Sequence, residues 1–160
     1  MEILGEQPDQ VLSSLHFGSS FPKRELMTHT LPIPGVGDAP GSVADWHVYA
    51  VAWEPGVMRW SFDGVVWATQ DFWWSSSKHA ADGQGLEAES AADLNPWPAP
   101  FDQPFYLVMN VAVGGNFPGA PNEVTVFPVD LQVDCMRVYD KVIYWPTSPR
   151  WCCAWWASPR

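Results

Sequence analysis

The chain has 160 residues, enough for one domain with its own core, and its 8 basic and 18 acidic residues give a net charge of −10. That balance excludes a nucleic-acid partner, which needs a basic face, and no apolar run approaches the ~20 residues of a membrane-spanning helix. Low charged content beside 16 prolines and 11 tryptophans argues against a helical bundle, and Cys135, Cys152 and Cys153 offer neither a disulfide framework nor metal-clip spacing.

The first residues, MEILG, are apolar around a single carboxylate, Glu2. They read as the middle of a buried strand, where a frayed polar start is usual. LPIPGVGDAPG (31–41) is a loop by its Pro and Gly content. HVYAVAWE (47–54) follows as a strand, with Tyr49, Val51 and Trp53 alternating against smaller neighbours. MRWSFDGVVWATQ (58–70) sets Met58, Trp60 and Phe62 on one parity and turns at Asp63-Gly64, the pair that a two-residue hairpin prefers. Residues 80–94 are the one stretch able to hold a short helix, weakened by their glycines. After the loop NPWPAPFDQP (95–104), FYLVMNVAVGG (105–115) reads as a strand covered on both faces. LQVDCMRVYDKV (131–142) is a further strand, with Leu131, Val133 and Cys135 facing one way. Short strands between turn-rich loops indicate an antiparallel sandwich.

The tail, WPTSPRWCCAWWASPR (145–160), crowds tryptophan, proline and cysteine with no period of either kind. Other chemistries fail on their motifs. HFGSS (16–20) is not a G-x-S-x-G elbow, there is no Walker loop or H-E-x-x-H, and the histidines at 16, 29, 47 and 79 lack ligand spacing.

Four ordered blocks, MEILGEQPDQVLSSLHFGSSFP, WHVYAVAWEPGVMRWSFDG, PWPAPFDQPFYLVMNVAVGGNFPG and VDCMRVYD, resemble the later part of a glycoside hydrolase family 16 domain of the laminarinase-like endo-β-1,3-glucanase branch. NVAVGGNFPG is the most distinctive piece. The resemblance implies an all-β jelly-roll β-sandwich (concanavalin-like), incomplete at the N-terminus. Residues 1–142 would be the C-terminal part of that domain, and 143–160 an atypical tail, disordered or spurious. The family signature is E-x-D-x-x-E, with the first Glu as nucleophile, the Asp supporting it and the last Glu as general acid/base. MEILG fits with Glu2 as that last carboxylate and Met1 as an ordinary residue inside the motif. On this expectation the nucleophile lies ahead of Met1 and the chain by itself is inactive.

Retaining glycosidases need two carboxyl groups ~5–5.5 Å apart, one to attack the anomeric carbon and one to protonate the leaving oxygen. Residues five apart on a regular strand face opposite ways, and a one-residue bulge restores the parity. The acid of such a pair keeps its proton through burial and the neighbouring negative charge.

The resemblance further implies sugar-positioning roles for His16, Asn110 and Phe117, and a cleft border for Trp73 and Trp74; for each, ordinary packing or backbone bonding is the competing role. Asp134 matches a position that helps to hold structural calcium in many members. One carboxylate cannot supply the six to eight oxygens that Ca²⁺ takes, so no metal or cofactor is expected in this chain and calcium belongs to the intact parent. The implied partner is β-glucan and the implied setting extracellular and monomeric. The implied reaction is retaining hydrolysis of internal β-1,3 or mixed β-1,3/1,4 bonds. A non-catalytic β-glucan-binding protein of the same fold is the other reading.

Overall fold

The computed structural model describes residues 1–18, 24–35, 38–75, 91–141 and 153–159, with the side chains of 24, 91 and 153–159 left aside. Nine strands occur among them: β1 (Glu2–Leu4), β2 (Gln7–Gly18), β3 (Arg24–Pro32), β4 (His47–Glu54), β5 (Val57–Phe62), β6 (Val65–Gln70), β7 (Leu131–Gln132), β8 (Met136–Val138) and β9 (Cys153–Pro159). One sheet runs β1-β2-β3; the other runs β6-β5-β4-β9-β7, with β8 also on β9, and every pairing is antiparallel. The all-β jelly-roll class is therefore present.

The two sheets meet through two apolar clusters. In one, Leu15 and Phe17 of β2 pack on Met58 and Trp60 of β5, Ala68 of β6, Trp73 and Phe101. In the other, Val11 packs with Ile33, Val43, Tyr49 and Phe62. Alternation causes this arrangement: on β2 the side chains of Val11, Ser13, Leu15 and Phe17 are all buried, and on β5 those of Met58, Trp60 and Phe62 are. A bulge on β6 extends the contact. Trp60 pairs with Ala68 while Ser61 pairs with Val66, so Trp67 is the extra residue and packs against both clusters.

Both hairpins of the second sheet have two-residue turns. Phe62 pairs with Val65 across Asp63-Gly64, whose φ angles of 49° and 82° are those of a type I′ turn. Asp63 also clamps the turn to β4: Oδ1 accepts from Val48 N at 2.8 Å and Oδ2 lies 2.8 Å from His47 Nδ1. Between β4 and β5, Pro55-Gly56, with φ 82° at Gly56, has the Pro-then-Gly order of a type II turn.

Two segments differ from expectation. Residues 105–115 form no strand, and Phe105, Tyr106, Leu107, Val108, Met109, Val111 and Val113 are exposed on both parities; no strand among the described residues pairs with them. Pairing needs a neighbour at the right spacing as well as propensity. No charged residue occurs from Gln103 to Asn122. The strand expected over 131–142 is split into β7 and β8, which pair with different parts of β9. Of the helix considered at 80–94, the described residues hold a 3₁₀ turn at Ala91–Asp93, and 80–90 lie outside them. Within the tail, Cys153–Pro159 is β9, set between β4 and β7; 143–152 lie outside the described residues.

Candidate carbohydrate-binding face

The outer face of the β1-β2-β3 sheet, turned away from the core, gathers the residues of interest. Met1 and Ile3 pack on the core, so Glu2 between them points outward and is exposed. Glu2 pairs with Leu12, and the even positions of β2 (Leu12, Ser14, His16) share its face. From β3, Thr30, Thr28 and Leu26 stand opposite those three. The face is thus a ladder of three rows: Glu2/Leu12/Thr30, then Ser14/Thr28, then His16/Leu26. Successive rows lie about 7 Å apart, which places Glu2 and His16 roughly 14 Å from each other along the sheet.

β1 does carry an irregular register, between Glu2 and Leu4, where Leu4 pairs with Gln7. It follows Glu2, whereas the bulge expected from the motif would precede it. Glu2 is also exposed, without the burial expected of a proton donor, and it is the one carboxylate in those three rows.

Beyond His16, Gly18 has φ 87°, and a Cβ there would come within 2.8 Å of the Trp74 ring. Trp74 is half-buried over this end of β2, edge-on to Phe17 at 6.0 Å. It packs against the core cluster at the end of β2, two residues beyond His16. Trp73 is 1% exposed, stacked on Trp97 at 4.5 Å and T-shaped to Phe101, with Nε1 donating to Pro98 O at 2.9 Å. Its ring is buried against Trp97 and Phe101 and its one donor is used, so the platform expectation is corrected here. Asn110 lies in the strand-free segment and is exposed, and Phe117 is 63% exposed in the turn after Gly114-Gly115.

Ser14 and Thr28 were not singled out from sequence. Ser14 Oγ and Thr28 Oγ1 lie 3.0 Å apart on the exposed face, in the row between Glu2 and His16. The period-two pattern of VLSSLHFG and RELMTHTLP is the signal that would have found them.

Away from the ladder, Glu54 receives hydrogen bonds from Lys141 and from Arg59, the latter at 2.8 Å. The Lys141 bond, helped by Arg59, holds its carboxyl below the usual glutamate range. Burial pushes the Tyr49 phenol well above its ordinary value, and the Asp63 charge adds to the shift. Asp134 is exposed, and among the described residues no three His, Cys, Asp or Glu side chains gather to hold a metal. The described residues alone do not fit a calcium site.

Comparison with known proteins supplies the family. The chain is 37% identical over 143 residues to Glucan endo-1,3-beta-glucosidase A1 of Niallia circulans, covering 87% of this chain and 18% of that protein. It is 33% identical over 142 residues to the Beta-glucanase of Rhodothermus marinus, covering 87% of this chain and 42% of that one. The chain belongs to the laminarinase-like β-glucanase family. It spans less than half the length of these two relatives. A shorter match, 39% identical over 82 residues, is to the Beta-1,3-glucan-binding protein of Penaeus monodon, covering 48% of this chain and 20% of that protein. No protein-family model and no solved structure matches. No helix among the described residues is long and apolar enough to cross a membrane.

Proposed function

We propose that the chain supplies the proton-donating carboxylate and part of the sugar-binding face of a retaining family 16 endo-β-1,3-glucanase. The observation that carries this reading is the outward projection of Glu2 onto the same sheet face as His16, with Met1 and Ile3 anchoring the strand in the core. Glu2 is the general acid/base, and His16, Asn110, Phe117 and Trp74 position sugar. Retaining hydrolysis takes a second carboxylate ~5–5.5 Å away, and the ladder rows contain none. The attacking group belongs to residues of a longer parent outside those described, and this chain alone is inactive on laminarin. The parent acts outside the cell on β-glucan, as a monomer; calcium, where it binds, is structural and held jointly by Asp134 and residues of that parent.

External azide separates the acid from the missing nucleophile. With an aryl β-1,3-linked glucobioside, azide attacks the anomeric carbon from the α face and the bond to the aryl oxygen breaks. Glu2 gives its proton to that departing oxygen. Glycosyl azide formed by the wild-type chain and lost in Glu2→Gln is the expected result. Release of reducing ends from laminarin without azide would put a nucleophile inside the chain and overturn the motif assignment.

The glucan-binding relative favours a second reading, binding without catalysis. Laminarin affinity in wild type and in Glu2→Gln alike, with no azide product, selects it.

A further inference from the structure

We infer that Trp97 is a second glucan-holding site, apart from the Glu2–His16 face, where one pyranose ring of a long β-glucan chain stacks on the indole by its C–H face. This rests on the carbohydrate reading above and deepens it. Trp97 is 50% exposed, and the exposed half is one face of its ring. The other face is stacked on Trp73, with centroids 4.5 Å apart and planes 29° from parallel. The glycine of the β4–β5 turn takes the edge. A Cβ at Gly56 would lie 3.0 Å from Nε1 and 3.3 Å from Cζ2 of Trp97, and 3.4 Å from Cε2, the atom bonded to both. A point over the ring would be nearest that middle atom, so Gly56 meets the indole in its plane and leaves the outer face open.

The platform is fixed before any ligand arrives. Three side chains from elsewhere donate to carbonyls of its loop: Ser75 Oγ to Asn95 O at 2.8 Å, Trp73 Nε1 to Pro98 O at 2.9 Å, and Trp53 Nε1 to Phe101 O at 2.9 Å. Ala99 N also donates to Pro96 O at 3.0 Å, closing a turn around Trp97 itself. A ring held this way loses little freedom on binding. Half a tryptophan side chain is on the order of 100 Å², enough for one sugar ring and far below the ~800 Å² per partner of a stable protein complex. β-Glucose carries its ring hydroxyls equatorially, so its C–H faces are flat and pack on an aromatic ring by dispersion. The net charge of −10 disfavours an anionic ligand. The β4–β5 turn belongs to the second sheet, ~10 Å across the core from the sheet that carries Glu2 and His16. An insoluble glucan offers chains to both places at once, whereas a short sugar fills one.

The test measures adsorption to insoluble linear β-1,3-glucan by co-sedimentation and binding of laminaritetraose by titration calorimetry. Trp97→Leu still covers Trp73 but has no flat face, and Trp97→Tyr keeps one. Trp97→Leu should adsorb about fivefold more weakly than wild type, the scale of one aromatic stack. Its laminaritetraose affinity should stay within about twofold and its thermal midpoint should be retained. Trp97→Tyr should keep most of the adsorption. Undiminished adsorption of Trp97→Leu, or equal weakening on both sugars, overturns the platform and leaves the glucan reading standing. Failure of the wild type to bind either sugar overturns both.

Discussion

Tyr49 shows how one buried polar residue couples this fold to pH. Its side chain is fully buried between the sheets, edge-on to Phe62 at 5.3 Å. Because the folded-state phenol titrates well above the unfolded one, its contribution to stability is complete below about pH 10. It is lost progressively as pH rises beyond that, since the unfolded chain gains by ionising and the folded chain does not. Urea midpoints from about pH 9 to about pH 11 should fall for wild type and flatten in Tyr49→Phe. The burial of Tyr49 was legible from the alternation in HVYAVAWE. The fate of the paired tryptophans was not. Trp73 and Trp74 are adjacent in a loop, and no period separates the one stacked on Trp97 from the one lying over Gly18. That outcome depends on cross-chain neighbours 24 and 56 positions away (97 − 73 and 74 − 18). Glu2 was legible only through the resemblance of MEILG and the blocks after it to the family signature; a lone carboxylate between apolar residues carries no such signal.

At the level of elements, the hairpin at Asp63-Gly64 was readable because its chemistry is local. Two consecutive positive φ angles want this pair, and the turn has it. A Cβ at Gly64 would meet no atom within 4 Å, so a substitution there tests backbone strain alone. Gly64→Val is expected to cost about 1–2 kcal/mol, measured by equilibrium urea unfolding. Gly18→Ala should cost more, because strain at φ 87° adds to the clash with Trp74. The two longest strands, β2 and β3, were less visible. Gln7, Asp9 and Gln10 open β2 with polar residues around Pro8, and β3 alternates between moderately apolar side chains and threonines over its middle. Their pairing over nine residue pairs, from Gln10↔Pro32 to Gly18↔Arg24, builds the candidate site. The reverse error occurred at 105–115, where strong strand propensity found no partner. The tail's β9 needed no side-chain period, since backbone pairing with β4, β7 and β8 suffices for a strand.

For the whole molecule, charge and apolar exposure are distributed unequally. The chain carries −10, yet the stretch from Gln103 to Asn122 has no charge and leaves Tyr106 87% and Val108 66% exposed. Long-range repulsion between molecules comes from charges outside this stretch, the longest uncharged run in the sequence. At low ionic strength that repulsion reaches ~30 Å and keeps neighbouring molecules apart; near physiological salt it shrinks to ~8 Å. Exposed apolar chain with no strand partner among the described residues can then meet its like. Added sodium chloride should therefore increase light scattering of the purified chain, and Val108→Lys should suppress the increase. This protein should behave as a charge-stabilised colloid with one uncharged seam, keeping best in dilute buffer, the reverse of what salt does for a protein held to a polyanion.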